Sequence, residues 1–318
     1  MEFRYVYGPV PSRRLGRSLG VNPIPFKTCN YSCVYCQLGR TSPLINHRQR
    51  FFPPGEILEE IQHALKLHVG EIDHVTFVGE GEPTLYQDLG DLIAQVKKMT
   101  PLPVAVITNG SLLHRNDVRQ ELVPSDVVIP SLDAADPETW KKVNRPHGRL
   151  NLEEIIEGMV RFRHMFHGQL WVEVMLVKGI NDQEESLLAI RRALDRIAPD
   201  EIHLNIPIRP PAEGWVEPAD AEGLVRAHVL LGEDALIDTP EEGAFSTAGF
   251  DQPLDAVTTI VRRHPMRYDQ IVETLDHFPP EAVQAALDEL IAVGKMRVVV
   301  YRDKAYYVAG AGYYAEKT

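Results

Sequence analysis

His74-Val75-Thr76-Phe77-Val78-Gly79-Glu80-Gly81-Glu82-Pro83 reads as a short β-branched strand running straight into a polar, glycine-rich end. The pattern recurs downstream. Pro103-Val104-Ala105-Val106-Ile107 ends in Thr108-Asn109-Gly110, and Asp126-Val127-Val128-Ile129-Pro130 ends in Ser131-Leu132-Asp133. Leu170 to Val177 ends in Lys178-Gly179, and Glu201 to Ile206 ends in Pro207. Helical spacing fills the intervals, over 87–99, 152–164 and 186–197. This alternation predicts βαβ units and a parallel sheet, hence the α/β class. The strands are almost continuously apolar, as strands covered on both faces must be. In such sheets the chemistry sits beyond the carboxyl ends of the strands. Each polar end is ordinary turn chemistry by itself; the series points to one ligand site.

The chain has 318 residues, 44% apolar and 25% charged, enough for a large domain and a smaller one. A change of pattern near residue 250 divides it into 1–250 and 251–318, with a linker around Gly243–Pro253. After the linker, 256–263, 268–276 and 280–293 read as short helices. Residues 295–301 and 305–308 read as a hairpin, and three helices with a hairpin make a winged-helix domain. No run of 18 apolar residues exists and the start lacks a signal-peptide pattern, so the expected location is cytoplasmic, with no membrane partner.

The net charge is −12, which argues against a general nucleic-acid binder. It is uneven: residues 1–50 carry +7 and the remainder −19. Arg13, Arg14 and Arg17 stand out as a clamp for an anion at the mouth of the site, or as partners of the acidic remainder. All three cysteines lie within eight residues, as Cys29-Asn30-Tyr31-Ser32-Cys33-Val34-Tyr35-Cys36. An odd, clustered set is no disulfide framework. Three thiolates at C-x3-C-x2-C spacing can hold three irons of a [4Fe-4S] cluster and leave the fourth open. A structural zinc site with a fourth ligand such as His47 is the competing metal reading.

The C-x3-C-x-aromatic-C loop, with Tyr35 as the aromatic residue, resembles the signature of radical S-adenosylmethionine (SAM) enzymes. Gly81-Glu82 resembles the last two residues of that superfamily's GGE motif, with Glu80 in place of the first glycine. The lead-in Gly8 to Gly20 resembles that of wyosine-type tRNA-modifying members, but the cysteines of their second cluster are missing. The resemblance implies a partial (βα)6 TIM-type barrel. It implies Cys29, Cys33 and Cys36 as cluster ligands, and Tyr35, Gly81, Glu82, Asn109, Ser131, Asp133, Met175 and Asn205 as SAM contacts.

It further implies reductive cleavage of SAM to a 5′-deoxyadenosyl radical that abstracts hydrogen from a substrate. The electron would come from an external donor of flavodoxin or ferredoxin type. The substrate stays open among an RNA base, the first guess, a small metabolite and a peptide, with an anionic one indicated by the arginines. Lys27 and Lys178 are candidate Schiff-base lysines, and Arg145, His147, Arg209 and Trp215 lie on loops that can face substrate. The other class of function is a non-catalytic metal- or cluster-containing regulator acting through its winged helix. Against DNA reading, the third helix carries Glu281, Asp288 and Glu289 and no Lys or Arg.

Overall fold

A computed structural model describes residues 3–232, 235–237, 250, 252–312 and 314. The linker read around Gly243–Pro253 falls largely outside the described residues. One sheet of eight strands runs in the order β1 to β8. Its strands are β1 (Val6–Ser12), β2 (Gly16–Val21), β3 (His74–Phe77), β4 (Val104–Thr108), β5 (Val127–Pro130), β6 (Gln169–Met175), β7 (Glu201–Asn205) and β8 (Ala235–Ile237). β1 pairs antiparallel with β2; every later pairing is parallel.

The connections are helical. α1 (Pro54–Leu67), α2 (Leu89–Met99), α3 (Asn116–Leu122), α4 (Pro137–Val143) with α5 (Leu152–Met165), α6 (Glu184–Ile197) and α7 (Ala221–Leu231) follow β2 to β7 in turn. The expected strands and long helices therefore form within a residue or two of the sequence reading. The segment Gly8 to Gly20, read as a lead-in, is a hairpin whose second strand opens the parallel sheet. Its weak apolar alternation and many glycines and prolines hid it.

The pleat sorts side chains by parity. Val104, Val106 and Val128 pack with the helices in the main core, while Ala105, Ile107, Val127, Ile129 and Trp171 line the opposite face. Leu15, at the tip of the β1–β2 hairpin, is buried among that second set. Arg14 follows it inward and pairs with Glu173 of β6 at 3.1 Å, with only 11% and 15% of the two side chains exposed. Arg13 donates to Asn205 Oδ1 at 3.1 Å. Arg17, by contrast, pairs with Asp73 just ahead of β3, at the end of the sheet opposite the polar loops. Arg14 and Arg17 are thus partners of the acidic remainder, the second of the two readings, whereas Arg13 lies at the carboxyl end of β7 beside Asn205.

The C-terminal residues form α8 (Pro253–Arg263), α9 (Tyr268–Thr274) and α10 (Pro280–Ala292), then an antiparallel pair, β9 (Met296–Tyr301) and β10 (Lys304–Ala309). They enclose a core of their own, around Val257, Ile271, Val283, Leu287 and Met296. Among the described residues no helix is long and apolar enough to cross a membrane.

Candidate functional site

The cysteine loop is held by backbone, and the glycine-rich end of β3 does the holding. Lys27 N–H donates to Glu80 O at 2.6 Å, and Glu82 N–H to Thr28 O at 2.9 Å. A Cβ built on Gly81 would lie 1.9 Å from Thr28 O, so no side chain fits there. From the other side, Ser32 N–H donates to Asn144 O at 3.0 Å and Val34 N–H to Val143 O at 2.9 Å. The loop is thus zipped between the end of β3 and the turn after α4.

Each sulfur receives an N–H. Cys29 Sγ accepts from Tyr31 N–H at 3.4 Å and Asn109 Nδ2 at 3.6 Å; Cys33 Sγ accepts from Asn144 Nδ2 at 3.4 Å. Cys36 Sγ lies 3.2 Å from Lys27 Nζ, which also donates to Gly39 O. Donors aimed at sulfur stabilise thiolate, the form that binds metal. Burial, then the Glu82 carboxylate, pushes the Cys29 thiol up to about 12, and burial with Asp133 raises Cys33 well above its ordinary value. With their thiols raised in this way, Cys29 and Cys33 shed protons on metal binding. Among the described residues no three His, Cys, Asp or Glu groups are arranged to hold a single metal ion. The half-buried thiols and their N–H donors fit a cluster that brings its own bridging sulfides.

Of the residues expected around SAM, Gly81, Glu82, Asn109 and Asp133 contact this loop, Met175 joins it through Asp133, and Ser131 and Asn205 meet Glu173 instead. Glu82 is buried and already accepts four hydrogen bonds: Thr84 N–H, Thr84 Oγ1 and Thr108 Oγ1 on Oε1, and Asn109 N–H on Oε2. Burial raises its carboxyl above the usual range despite them. Asp133 accepts Tyr35 OH at 2.5 Å, Asn144 Nδ2 at 2.6 Å and Met175 N–H at 2.9 Å. Its carboxyl is pushed up to about 6 by burial. Asp133 thereby ties the aromatic residue of the loop and the partner of Cys33 to the end of β6. Asn109 bridges to Asn30 Oδ1 at 2.8 Å. Ser131, just past β5, bridges to Glu173 in the sheet, and Asn205 donates to the same Glu173. Ser131, Met175 and Asn205 continue the interior parity of Ile129, Trp171 and His203.

The sequence reading missed Asn144 and Glu213. Asn144 is 111 residues from Cys33, with no local motif around it. Glu213 sits on the loop after β7, where its N–H donates to Val34 O. Its buried carboxylate pairs with Arg40 and Arg145 and is held below its usual range by them, against the pull of burial. Val216 of this loop packs on Val34 and Val177. The loop is therefore a strap across the cysteines. Lys178 pairs with Asp220 and His147 accepts Arg149 N–H, ordinary structural duties for both.

The C-terminal unit sits against the same mouth. Arg262 pairs with the buried Glu80 at 2.9 Å, with Arg263 at 3.6 Å and Asn22 Nδ2 donating to it as well. Gln37 Nε2 donates to Arg263 O, Tyr314 OH to Gln37 O and Tyr301 OH to Pro207 O. Glu80, which replaces a glycine of the expected motif, is thus an anchor between units.

A parallel α/β sheet with a three-cysteine loop at its strand ends defines a cluster-binding class of protein. Residues 24–189 match the Radical SAM superfamily. A UPF0026 protein of Methanocaldococcus jannaschii is 35% identical over 310 residues, 95% of each chain. Another from Synechocystis is 39% identical over 209 residues, 65% of this chain and 77% of its own. The solved structure of TYW1 with a lysine-pyruvate adduct superposes with a TM-score of 0.53 at 20% identity, over 69% of this chain and 74% of that one. At that identity the likeness concerns the fold. The chain belongs to the radical SAM superfamily, and within it groups with the UPF0026 proteins. It is an enzyme of that superfamily.

Proposed function

We propose that this enzyme holds one [4Fe-4S] cluster on Cys29, Cys33 and Cys36 and cleaves SAM reductively, giving a 5′-deoxyadenosyl radical that takes hydrogen from a substrate. The observation that carries the proposal is the cysteine loop itself, fixed at the strand ends with an N–H donor on every sulfur. The cluster supplies the electron and the Lewis-acidic iron; everything else falls to this chain.

Gly81 and Glu82 fix the loop at the depth where a bound SAM meets it. The Glu82 carboxylate, held in place by Thr84, Thr108 and Asn109, offers negative charge to the SAM amino group. Ser131, Met175 and Asn205 lie on the interior face for ribose and adenine, and Tyr35 is set by Asp133. Asp133 itself acts as a positioning residue, since its oxygens are engaged by Tyr35, Asn144 and Met175. The strap with Glu213 and the C-terminal unit exclude water from the mouth. An electron donor of flavodoxin or ferredoxin type and a reducing, cytoplasmic setting suit a cluster of this kind.

The sheet is read as a partial (βα)6 barrel over β2 to β7, spanning 1–250, and residues 251–318 as a winged-helix domain. Arg262, Arg263, Arg267 and Arg297 of that domain are engaged with Glu80, Asp269 and Gly312 O. That commitment supports packing on the barrel over reading of DNA.

The test is anaerobic reconstitution. The wild type binds about four irons and sulfides and, once reduced, forms 5′-deoxyadenosine from SAM. Cys33→Ala loses both. SAM cleavage retained in Cys33→Ala overturns the proposal.

A further inference from the structure

The N–H groups on Cys29 and Cys33 are neutral: the Tyr31 backbone and the Asn109 amide on the first, the Asn144 amide on the second. The group on Cys36 is a cation. Lys27 Nζ lies 3.2 Å from Cys36 Sγ and donates to Gly39 O at 2.6 Å, so two contacts fix the ammonium beside the sulfur. Gly39 is placed by the cysteine turn itself. It adopts φ 84°, and its N–H donates to Cys36 O at 3.0 Å. The backbone of Lys27 is equally committed. Its φ of 59° lies in the left-handed region, which a lysine rarely adopts. Its N–H donates to Glu80 O at 2.6 Å, so the end of β3 holds that conformation.

The charge of Lys27 is not cancelled by the chain. Among the described residues no carboxylate lies in ion-pair range of Nζ; its contacts are the sulfur and a carbonyl. Other cations of the chain do have acids: Arg40 pairs with Glu213, Lys97 with Asp126 and Lys178 with Asp220. With its amine committed in this way, Lys27 has a duty at the loop other than the Schiff base that the sequence allowed.

We infer that Lys27 is a positioning residue that acts through Cys36 to raise the reduction potential of the cluster. The inference rests on the three cysteines holding one [4Fe-4S] cluster, as proposed above. Reduction adds one electron from the external donor, breaks no bond and leaves the cluster with one more negative charge. A fixed cation at 3.2 Å from a ligand sulfur stabilises the reduced form more than the oxidised one. Hydrogen bonds and charge at the sulfurs are the protein's means of setting such a potential. A charged donor does so more strongly than the neutral amides on Cys29 and Cys33.

The test is a redox titration of the full-length protein after anaerobic reconstitution, without SAM, with the reduced cluster followed by electron paramagnetic resonance. The midpoint is read from the loaded fraction, so partial loading does not alter it. Lys27→Gln should disfavour reduction by about tenfold, a midpoint about 59 mV lower for one electron. Lys27→Arg keeps the charge and should stay closer to the wild type than to Lys27→Gln. Equal midpoints in the wild type and Lys27→Gln overturn the inference. So does a Lys27→Arg midpoint shifted as far as that of Lys27→Gln, which makes the contact one of shape and not of charge. A Lys27→Gln protein that takes up no cluster also overturns it, because the ammonium then serves assembly through Gly39 O. A wild type that takes up no cluster overturns the proposed function and this inference together. Iron content, measured before any potential, therefore tells the two failures apart.

Discussion

Gly81→Ala is the sharpest probe of how the site is built. A methyl group at Gly81 would lie 1.9 Å from Thr28 O, 2.6 Å from its carbonyl carbon and 3.0 Å from its nitrogen. All three are backbone atoms, so no rotamer change relieves the clash, and the two loops must separate by roughly 1 Å. Forced overpacking of this kind costs about 1–3 kcal/mol. The separation also breaks Glu82 N–H to Thr28 O and Lys27 N–H to Glu80 O, each worth about 1 kcal/mol net. The total, about 3–5 kcal/mol, should lower Tm by roughly 6–10 °C at ~2 °C per kcal/mol for a chain of this size. Cys29 is covalently next to Thr28, so the iron complement after reconstitution should fall as well. The control is Gly55→Ala in the first turn of α1, where nothing lies within 4 Å. That change should be neutral or stabilise by about 0.5–1 kcal/mol. Circular-dichroism melts of the metal-free proteins and iron and sulfide assays read both effects. A Gly81→Ala protein that melts within 2 °C of the wild type and takes up full iron would refute the zipper.

Three further outcomes follow from named contacts. Glu80→Ala should weaken docking of the C-terminal unit by about 2 kcal/mol, below the 3–5 of a fully buried pair because Arg262 is 45% exposed. Limited proteolysis should then release a fragment beginning near residue 250 faster than in the wild type; an unchanged digest would count against the anchor. Asp133 has a folded-state carboxyl raised from 3.8 to about 6, so its contribution to stability is present below pH 4 and lost as pH rises through 6. The urea midpoint of metal-free wild type minus that of Asp133→Asn should therefore fall between pH 4 and pH 6, and a flat difference would show that the carboxyl is not raised. Glu213→Gln should free the strap and cost about 1–2 kcal/mol, since Arg40 and Arg145 are each 37% exposed and can rehydrate. Its sign is a drop in Tm together with easier loss of iron to chelators. Chelator resistance equal to the wild type would argue that the strap does not guard the cysteines.

The cysteine spacing, the β-branched strands and their polar ends were legible in the sequence because they are local. A strand is marked by four to eight consecutive side chains, and a cluster loop by ligands within one turn of chain. From these came the α/β class, the parallel sheet and the expectation of chemistry beyond its strand ends, while the SAM-contact residues rested on the family resemblance. The sheet's hairpin opening was not legible, because its short strands lack clean apolar alternation and its polar contacts are made with residues far along the chain, such as Glu173 and Asn205.

Charge and partnership were decided by tertiary structure alone. The basic first fifty residues read equally as a clamp for an anion and as partners of the acidic remainder. Folding brings Glu173, Asp73, Glu213, Glu121 and Asp88 to those arginines from as far as 173 residues away. Asn144 meets Cys33 and Glu80 meets Arg262 in the same way. Sequence lists the charges, but a Coulomb interaction depends on separation in space and on the solvent excluded between the groups, and neither exists until the chain has folded.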